Sequence, residues 1–163
     1  MTTDLTRSAV QRIQILLIED DPDDVLLTTE VLGEAAIPSD LHVATDGEEA
    51  MDFLHRRGRF VDVPRPDLVL LDLNLPKKDG RQILTEIKAD PELRRIPVIV
   101  LTTSAAERDV LHAYDMHVNA YVRKPVGYVA LLDVVRSIKD FWIGAALLPP
   151  RDAAAQRNPY GIR

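Results

Sequence analysis

The chain of 163 residues has no cysteine, which excludes disulfide bonds, thiolate metal sites and a thiol nucleophile. No apolar run is long enough to cross a bilayer, and Met1 to Gln11 lack the apolar core of a secretory signal. Basic residues are in deficit too: the formal net charge is −6, and no basic stripe or helix-turn-helix pattern favours nucleic acid. Together these absences favour a cytoplasmic domain, for which 46% hydrophobic and 28% charged residues are ordinary values.

Two short apolar runs lead directly into acidic residues. The run at 13–18 is followed by three acids at 19–21, and the run over 67–71 is followed by Asp72. Such runs are typical of buried strands in a parallel sheet, and ligands collect at the carboxyl ends of those strands. Carboxylates that converge there repel one another unless a cation neutralises them. The pattern therefore predicts a site for a hard cation, with Mg²⁺ as the first candidate.

The acidic run after the first strand has a second explanation. Asp21 followed by Pro22 is typical of a helix N-cap with proline in the first turn, and acids in general favour helix N-termini. For this run alone, a solvated helix start is as good an interpretation as a metal site. Asp72 favours the metal site, because an aspartate at a strand end with no capping role needs another explanation.

Strand-like and helix-like segments alternate five times, which predicts a doubly wound α/β fold. Right-handed crossovers restrict the topology, and the natural choice for five strands is a flavodoxin-like parallel sheet of order 2-1-3-4-5 with helices on both faces. We predict the folded domain over 12–144, a flexible tail over 1–11, and a C-terminal extension over 145–163 that is either flexible or a dimerisation arm. The predicted strands lie at about 13–18, 40–45, 67–72, 97–102 and 119–122.

Local signals predict the helices between these strands. Asp46 and Ser104 each stand three residues before a glutamate, which is capping-box spacing. Gly80 opens a segment with helical apolar spacing, and Pro91 ends it. A last long helix is predicted over about 126–144.

Further polar residues follow the fourth and fifth strands, next to Asp72 in this topology. Thr102 and Thr103 end the fourth strand, and Lys124 follows the fifth. Phosphoryl transfer needs an oxygen nucleophile, a metal to spread charge, and donors for the phosphoryl oxygens, and these residues supply such groups. Each of them alone is more typical of a surface loop, and Asp72 as a pure metal ligand is the competing role. Their value lies in their joint position at neighbouring strand ends.

These residues give the chain a resemblance to the receiver domain of two-component response regulators, over about residues 12–142. The motifs are highly specific when they occur jointly and in this order. They are Ile-Glu-Asp at 18–20, the Asp-x3-Pro-x3-Gly spacing over 72–80, the strand at 97–102, and the segment ending in Lys-Pro at 121–125.

The resemblance implies roles for individual residues. Asp72 is implied as the phosphoacceptor, with Thr102 and Lys124 in contact with the phosphoryl group. Tyr121 is similar to the switch aromatic whose rotamer follows Thr102. Thr103 stands where a smaller residue is usual, so access to the acceptor is expected to be narrower. The implied cofactor is Mg²⁺, held by Glu19 (through water), Asp20, Asp72 and the backbone carbonyl of Asn74.

Only about twenty residues follow the predicted receiver, too few for a DNA-binding or enzymatic effector domain. The resemblance therefore implies a single-domain regulator that turns over no external substrate. It would accept phosphate from a histidine kinase and signal by protein contact.

The end of the last helix resembles the small regulators that partner bacterial phytochrome histidine kinases. This implies a homodimer through the C-terminal region. The charge and the lack of a long apolar run predict neither nucleic acid nor membrane as a partner. Any single apolar residue there is better explained as a cap on the core, but the group together predicts an interface. The group consists of Phe141, Trp142, Ile143, Leu147 and Leu148.

Three other interpretations fit the same fold class. A flavin-binding electron carrier needs a hydroxyl- and glycine-rich phosphate loop after the first strand, whereas Glu19 and its acidic neighbours repel an anion. A Mg²⁺-dependent aspartyl phosphatase usually has a second carboxylate two residues after the nucleophile, where this chain has Asn74. A pseudo-receiver that serves only for docking is disfavoured by the intact Asp20, Asp72 and Lys124.

Overall fold

The computed structural model describes residues 12–151. The predicted tail over 1–11 and the last residues of the predicted extension, 152–163, lie outside this range. All strand pairs in the sheet are parallel. The strands are β1 Ile13–Ile18, β2 Ser39–Ala44, β3 Leu68–Leu71, β4 Val98–Thr102 and β5 Ala120–Arg123. Their order is β2-β1-β3-β4-β5, which confirms the doubly wound fold predicted from the alternation of segments.

Helices connect consecutive strands and cover both faces of the sheet. A short 3₁₀ turn at Gly58–Phe60 precedes β3, and a π-helical segment at Lys139–Ala145 follows the last α-helix. None of the helices between residues 12 and 151 is both long and apolar enough to cross a membrane. The α-helices are α1 Pro22–Gly33, α2 Gly47–Leu54, α3 Gly80–Ala89, α4 Glu107–Asp115 and α5 Tyr128–Ile138.

Each face of the sheet has its own apolar core, because successive side chains of a strand point to opposite faces. Leu16 and Leu71 belong to the core beneath α2 and α3, whereas Leu17 and Leu70 belong to the core beneath α1 and α5. The central strands β1 and β3 are thus buried on both sides. This explains why their sequences are apolar except for the buried Gln14 of β1, and why the first polar residue after each strand falls at the edge of the sheet.

The aspartates predicted to start α1 and α2 do cap these helices. Asp21 accepts hydrogen bonds from the amides of Asp23 and Asp24, at 2.9 and 3.4 Å. Asp46 accepts one from the amide of Glu49 at 2.8 Å. The Glu49 carboxylate accepts from the amide of residue 45, one position before the cap, rather than from the cap residue itself. These contacts satisfy amides that the first helical turn leaves without a partner.

The prediction that Ser104 caps α4 is wrong. The helix begins at Glu107, with Ala106 in the cap position, and no side chain within residues 12–151 caps it. The Ser104 hydroxyl instead donates to Asp109 Oδ2 at 2.5 Å. A buried carboxylate is a stronger acceptor than the cap position offers, and its charge draws the serine away from the helix start.

The C-terminal segment corrects the predicted interface group. Ile143 is only 3% exposed and packs in the core beneath α1 and α5, so it is not part of an exposed patch. The amide of Ala146 donates to the carbonyl of Phe141, five residues earlier, and such wide π-helical turns shift the phase of the side chains. Trp142 is half-buried beside the same core, and its ring meets that of Phe141 edge-on at 5.2 Å. Leu147 is fully exposed.

Within the extension predicted over 145–163 as flexible or as a dimerisation arm, Arg151 contacts the folded domain. The Arg151 guanidinium binds the buried carboxylate of Asp67, with Nη2 2.7 Å from Oδ2, and also donates to the carbonyl of Arg12. Asp67 lies just before β3, so this contact holds the segment to the amino-terminal edge of the sheet. A buried carboxylate needs such a partner because an unpaired one is costly.

Candidate functional site

The carboxyl ends of β1 and β3 bring three carboxylates together. Ile18 and Leu71 are paired across the two strands, so the next residues, Glu19 and Asp72, become neighbours. Carboxylate oxygens of Glu19, Asp20 and Asp72 all lie within 4.8 Å of one another. The convergence expected from two acid-tipped strands is therefore present in the fold.

The three acids differ in their access to solvent. Glu19 and Asp72 are buried, at 3% and 8% exposed, whereas Asp20 is exposed. Burial raises the pKa of Glu19 to about 7, and the charge of Asp72 adds to this effect, against hydrogen bonding from Lys124. A cluster of oxygen ligands that is closed on one side and open at Asp20 fits a hard divalent cation that keeps part of its water shell.

Lys124 is the cation of the site. Its ammonium lies 2.5 Å from Glu19 Oε2, 2.9 Å from Asp24 Oδ2 and 3.1 Å from Asp72 Oδ2. Burial alone would lower the pKa of Lys124, but hydrogen bonds to Glu19 and Asp24 and the charge of Asp72 outweigh burial and hold it above its usual range. The side chain therefore stays charged at neutral pH, and it faces three carboxylates.

Asp24 is the site residue that sequence reasoning missed. Asp24 belongs to the acidic run that fits a solvated helix start as well as a metal site, and it is not among the predicted site residues, yet its carboxylate contacts Lys124. The available signal was its position in the first turn of α1, directly after the Asp21 cap. The Asp21 cap fixes the first turn of α1 beside the strand ends, and the carboxylate of Asp24 in that turn reaches Lys124.

Thr102 and Tyr121 lie on the other side of Asp72. Thr102 ends β4 and is fully buried, and its carbonyl accepts from the amide of Lys124 at 2.7 Å. Its hydroxyl oxygen accepts from the amide of Ser104 at 3.5 Å. Tyr121 is half-buried, and its hydroxyl donates to the carbonyl of the same Ser104 at 2.8 Å. One residue of the β4–α4 loop thus contacts both side chains to which the resemblance gave switching roles.

The β3–α3 loop wraps closely around Asp72. The amide of Asn74 donates to Asp72 Oδ1 at 3.2 Å, and the amide of Gly80 donates to the carbonyl of Leu73. A Cβ atom at position 80 would stand 2.3 Å from the carbonyl oxygen of Asp72, which is too close for any side chain. Position 80, at the end of the Asp-x3-Pro-x3-Gly spacing, therefore requires glycine, because its backbone packs directly against the backbone of Asp72 and Leu73. The Asn74 side chain is exposed.

A groove of about 550 Å³ leads to this site between α1 and the start of α5. Asp24, Thr103, Lys124 and Tyr128 are among its lining residues, so the groove opens onto the Lys124 side of the site. Thr103 is exposed and lines this groove.

Comparison with known proteins agrees with this geometry. A family model described as "Response regulator receiver domain" matches residues 15–136. Response regulator Rcp1 from Synechocystis sp. is 49% identical over 135 residues, which make up 83% of this chain and 92% of that protein.

Two solved structures match the fold over most of this chain and nearly all of their own length. The Mn²⁺-bound form of response regulator Rcp1 has a TM-score of 0.84 and 48% identity, over 85% of this chain and 99% of that one. The phosphorylated cyanobacterial phytochrome response regulator RcpA also has a TM-score of 0.84, with 46% identity over 86% of this chain and 100% of that one.

Proposed function

This chain belongs to the response regulator receiver family, and on that premise we propose that Asp72 accepts a phosphoryl group within a phytochrome signalling pathway. The observation that carries the proposal is the meeting of Asp72 with the acid pair Glu19 and Asp20 and with the Lys124 ammonium, which contacts both Glu19 and Asp72. Similarity to the phytochrome response regulator RcpA supports the pathway, and the phosphorylated state of that structure supports the chemistry.

In the proposed reaction an oxygen of the Asp72 carboxylate attacks the phosphorus of a kinase phosphohistidine. The P–O bond forms as the P–N bond breaks, and the imidazole leaves and takes up a proton. Lys124, 3.1 Å from Asp72 Oδ2, balances the charge of the phosphoryl oxygens. The buried Thr102 hydroxyl supplies a hydrogen bond once the product acyl phosphate is formed.

We propose Mg²⁺ as the cofactor, since the donor set consists of oxygens and includes one solvent-exposed carboxylate. When bound, the ion would neutralise the acids and spread charge on the phosphoryl oxygens. The Mn²⁺-bound relative supports a divalent cation at this kind of site. The residues proposed to hold it are Glu19, Asp20, Asp72 and the backbone carbonyl of Asn74.

The switch we propose begins at Thr102. If its hydroxyl turns towards a phosphoryl group on Asp72, it gives up its contact with the amide of Ser104, and Tyr121 can move into the space that is vacated. The face built from α4, β5 and α5 then changes shape. A partner that binds this face would read the phosphorylation state.

The proposed partner is a histidine kinase, and we propose a bacterial phytochrome as that kinase. We expect no turnover of external phosphoesters, because Asn74 stands where aspartyl phosphatases usually carry their second acid. Nucleic acid is not a proposed partner, because the net charge is −6. The place of action we propose is the cytoplasm, where the ATP that supplies histidine kinases is found.

We also propose a homodimer through the C-terminal region. Phe141 and Leu147 are exposed, and Trp142 and Leu148 are partly exposed beside them, so these side chains form an apolar surface that a second copy would cover. Sedimentation at micromolar concentration should give a dimeric mass for the chain and a monomeric mass for Phe141→Ser. A monomeric mass for the unsubstituted chain contradicts the dimer.

Phosphorylation is tested by incubating the chain with acetyl phosphate and Mg²⁺ and measuring intact mass. We expect one added phosphoryl group, its loss in Asp72→Asn, and its retention in the matched control Asp23→Asn, which changes an exposed acid in α1. Labelling that survives Asp72→Asn contradicts the acceptor assignment. The alternative, a pseudo-receiver used only for docking, predicts no labelling of the unsubstituted chain by acetyl phosphate or by any kinase.

A further inference from the structure

Three carboxylates match the three N–H donors of the Lys124 ammonium. Its Nζ lies 2.5 Å from an oxygen of Glu19, 2.9 Å from one of Asp24 and 3.1 Å from one of Asp72. A phosphoryl group on Asp72 adds strong acceptor oxygens beside this ammonium. For Lys124 to donate to one of them, an existing contact must therefore be released.

The contact with Asp24 is the one that a bound cation would leave in place. Glu19 and Asp72 are buried and belong to the group of carboxylates that lie within 4.8 Å of one another, of which Asp24 is not a member. A divalent cation held by that group would offset the charges of Glu19 and Asp72. The Asp24 side chain, 25% exposed in the first turn of α1, would keep its full charge on Lys124.

Other contacts already hold Lys124 in position. Its amide donates to the carbonyl of Thr102 at 2.7 Å, its side chain is only 6% exposed, and its ammonium contacts the buried Glu19 and Asp72. The contact with Asp24 is thus not needed to place the ammonium beside Asp72. What Asp24 adds is a further negative charge, which opposes the arrival of a phosphoryl group with its own charge of about −2.

We propose that Asp24 is a positioning residue that acts through Lys124: its carboxylate holds one ammonium donor away from Asp72 and so limits how readily a phosphoryl group occupies the site. The inference rests on the proposed role of Asp72 as the acceptor. Removal of the charge at position 24 should release that donor, and the affinity of the site for a phosphoryl group should rise.

The first test is the binding of beryllofluoride, a mimic of the phosphoryl group, to the full chain with Mg²⁺, followed by fluorine NMR. We expect Asp24→Asn to bind about fivefold tighter or more, a typical size for coupling between groups. Asp24→Ala, which leaves no acceptor oxygen on the side chain, should bind at least as tightly as Asp24→Asn. Asp24→Glu restores the charge and should bind more weakly than Asp24→Asn.

The matched control is Asp23→Asn. It removes the same charge from the same turn of α1, and Asp23 is exposed and lines the same groove. This control should leave the affinity for beryllofluoride unchanged, because Asp24 and not Asp23 contacts Lys124 through its side chain in the described chain. Equal tightening by Asp23→Asn and Asp24→Asn means that only the net charge matters, and the inference is then wrong.

The rate of phosphorylation by acetyl phosphate should follow the same order. An oxygen of Asp72 forms a P–O bond to the phosphorus as the bond to acetate breaks, and acetate leaves. A free donor on Lys124 stabilises the charge on the phosphoryl oxygens during this step. Asp24→Asn should therefore gain its phosphoryl group faster than the unsubstituted chain and Asp23→Asn, as measured by intact mass over time.

Mg²⁺ binding without any phosphoryl mimic separates a competitor for Lys124 from a metal ligand. Calorimetry should show that Asp24→Asn keeps its Mg²⁺ affinity to within about tenfold, whereas loss of a group that holds or orients the ion costs about tenfold or more. A loss of that larger size identifies Asp24 as part of the metal site and overturns the inference.

The outcomes also separate this inference from the proposed function. If Asp24 serves only the fold, Asp24→Asn and Asp24→Ala change Tm and leave beryllofluoride affinity unchanged, so the inference is refuted while the acceptor role stands. Weaker binding by these variants means that Asp24 supports Lys124 instead of competing for it, and this too refutes the inference. If neither the unsubstituted chain nor Asp24→Asn binds beryllofluoride with Mg²⁺, the proposed function fails, and the role of Asp24 fails with it.

Discussion

Two lysines at opposite ends of the sheet, Lys124 buried and Lys88 half-buried, have opposite environments. Lys124, at the carboxyl end, faces three carboxylates, and its pKa is held above the usual range despite burial. Lys88, at the amino end, donates to the carbonyls of residues 94 and 96 and to the side-chain oxygen of Asn119. Neutral oxygens offset burial poorly, and burial lowers the pKa of Lys88 to about 8.

The aspartates on either side of β3 show the same contrast. Asp67, before the strand, accepts from the amide of Gln14 at 2.7 Å and is bound by the Arg151 guanidinium, so one negative charge meets a full positive one. Asp72, after the strand, shares its single ammonium with two other acids. The amino end is neutralised within the chain, whereas the carboxyl end keeps an excess of negative charge. The first arrangement stabilises the fold, and the second leaves a place for a cation.

The largest change in stability should come from substituting Asp67, the aspartate whose charge is neutralised by Arg151. Asp67→Ala leaves the Gln14 amide without its acceptor and the Arg151 guanidinium without its counter-charge, so the free energy of unfolding should fall by about 3 kcal/mol. Urea denaturation measures the change, with the exposed Asp23→Ala as control. A loss no larger than that of the control means that the amino edge is not what holds β3 in place.

Substituting Asp72, at the carboxyl end of β3, should instead raise the free energy of unfolding. Without Mg²⁺, Asp72→Asn relieves repulsion from Glu19 and Asp20 and should raise the free energy of unfolding by about 1 kcal/mol. Added Mg²⁺ should stabilise the original chain by about 2.7 kcal/mol at one hundred times its dissociation constant and the variant far less. Thermal melts with and without Mg²⁺ check both statements. If Mg²⁺ raises the melting temperature equally in the original chain and in Asp72→Asn, the ion binds away from Asp72.

The smallest effect concerns Lys88 and pH. Between about pH 8 and 10.5 the unfolded chain keeps the proton that folded Lys88 has lost, so the unfolded state binds more protons and this residue makes stability rise with pH. Lys88→Met should flatten that rise, and Lys139→Met should not. Urea midpoints measured from pH 7.5 to 10 supply the slopes. If stability changes with pH at the same slope in the unsubstituted chain, Lys88→Met and Lys139→Met, the contrast drawn between Lys88 and Lys124 is wrong.

The sequence predicted the strands to within one residue at each end, because buried parallel strands are continuous apolar runs bounded by polar residues. It predicted the meeting of Glu19 with Asp72 for the same reason, since strand order determines which ends are neighbours. Contacts between distant residues have no such local signal. Neither the binding of Asp24 to Lys124 nor that of Arg151 to Asp67 follows from a periodic pattern.

Local signals also fail where two of them compete. Ser104 has the spacing of a cap, but the charge of Asp109, held by Arg81, attracts it more strongly. Ile143 stands within an apolar run whose phase changes in a π-helical segment, so a regular helical period cannot assign its face.

The contact of Arg151 with the carbonyl of Arg12 has a practical consequence. The described chain enters and leaves the fold at one spot, on the edge of the sheet farthest from Asp72. A fusion partner or a surface tether attached at residue 12 or at residue 151 should emerge on that side, and the groove beside Lys124 should stay open. A short linker between these two positions should likewise close the backbone into a ring and leave the order of the strands in the sheet undisturbed.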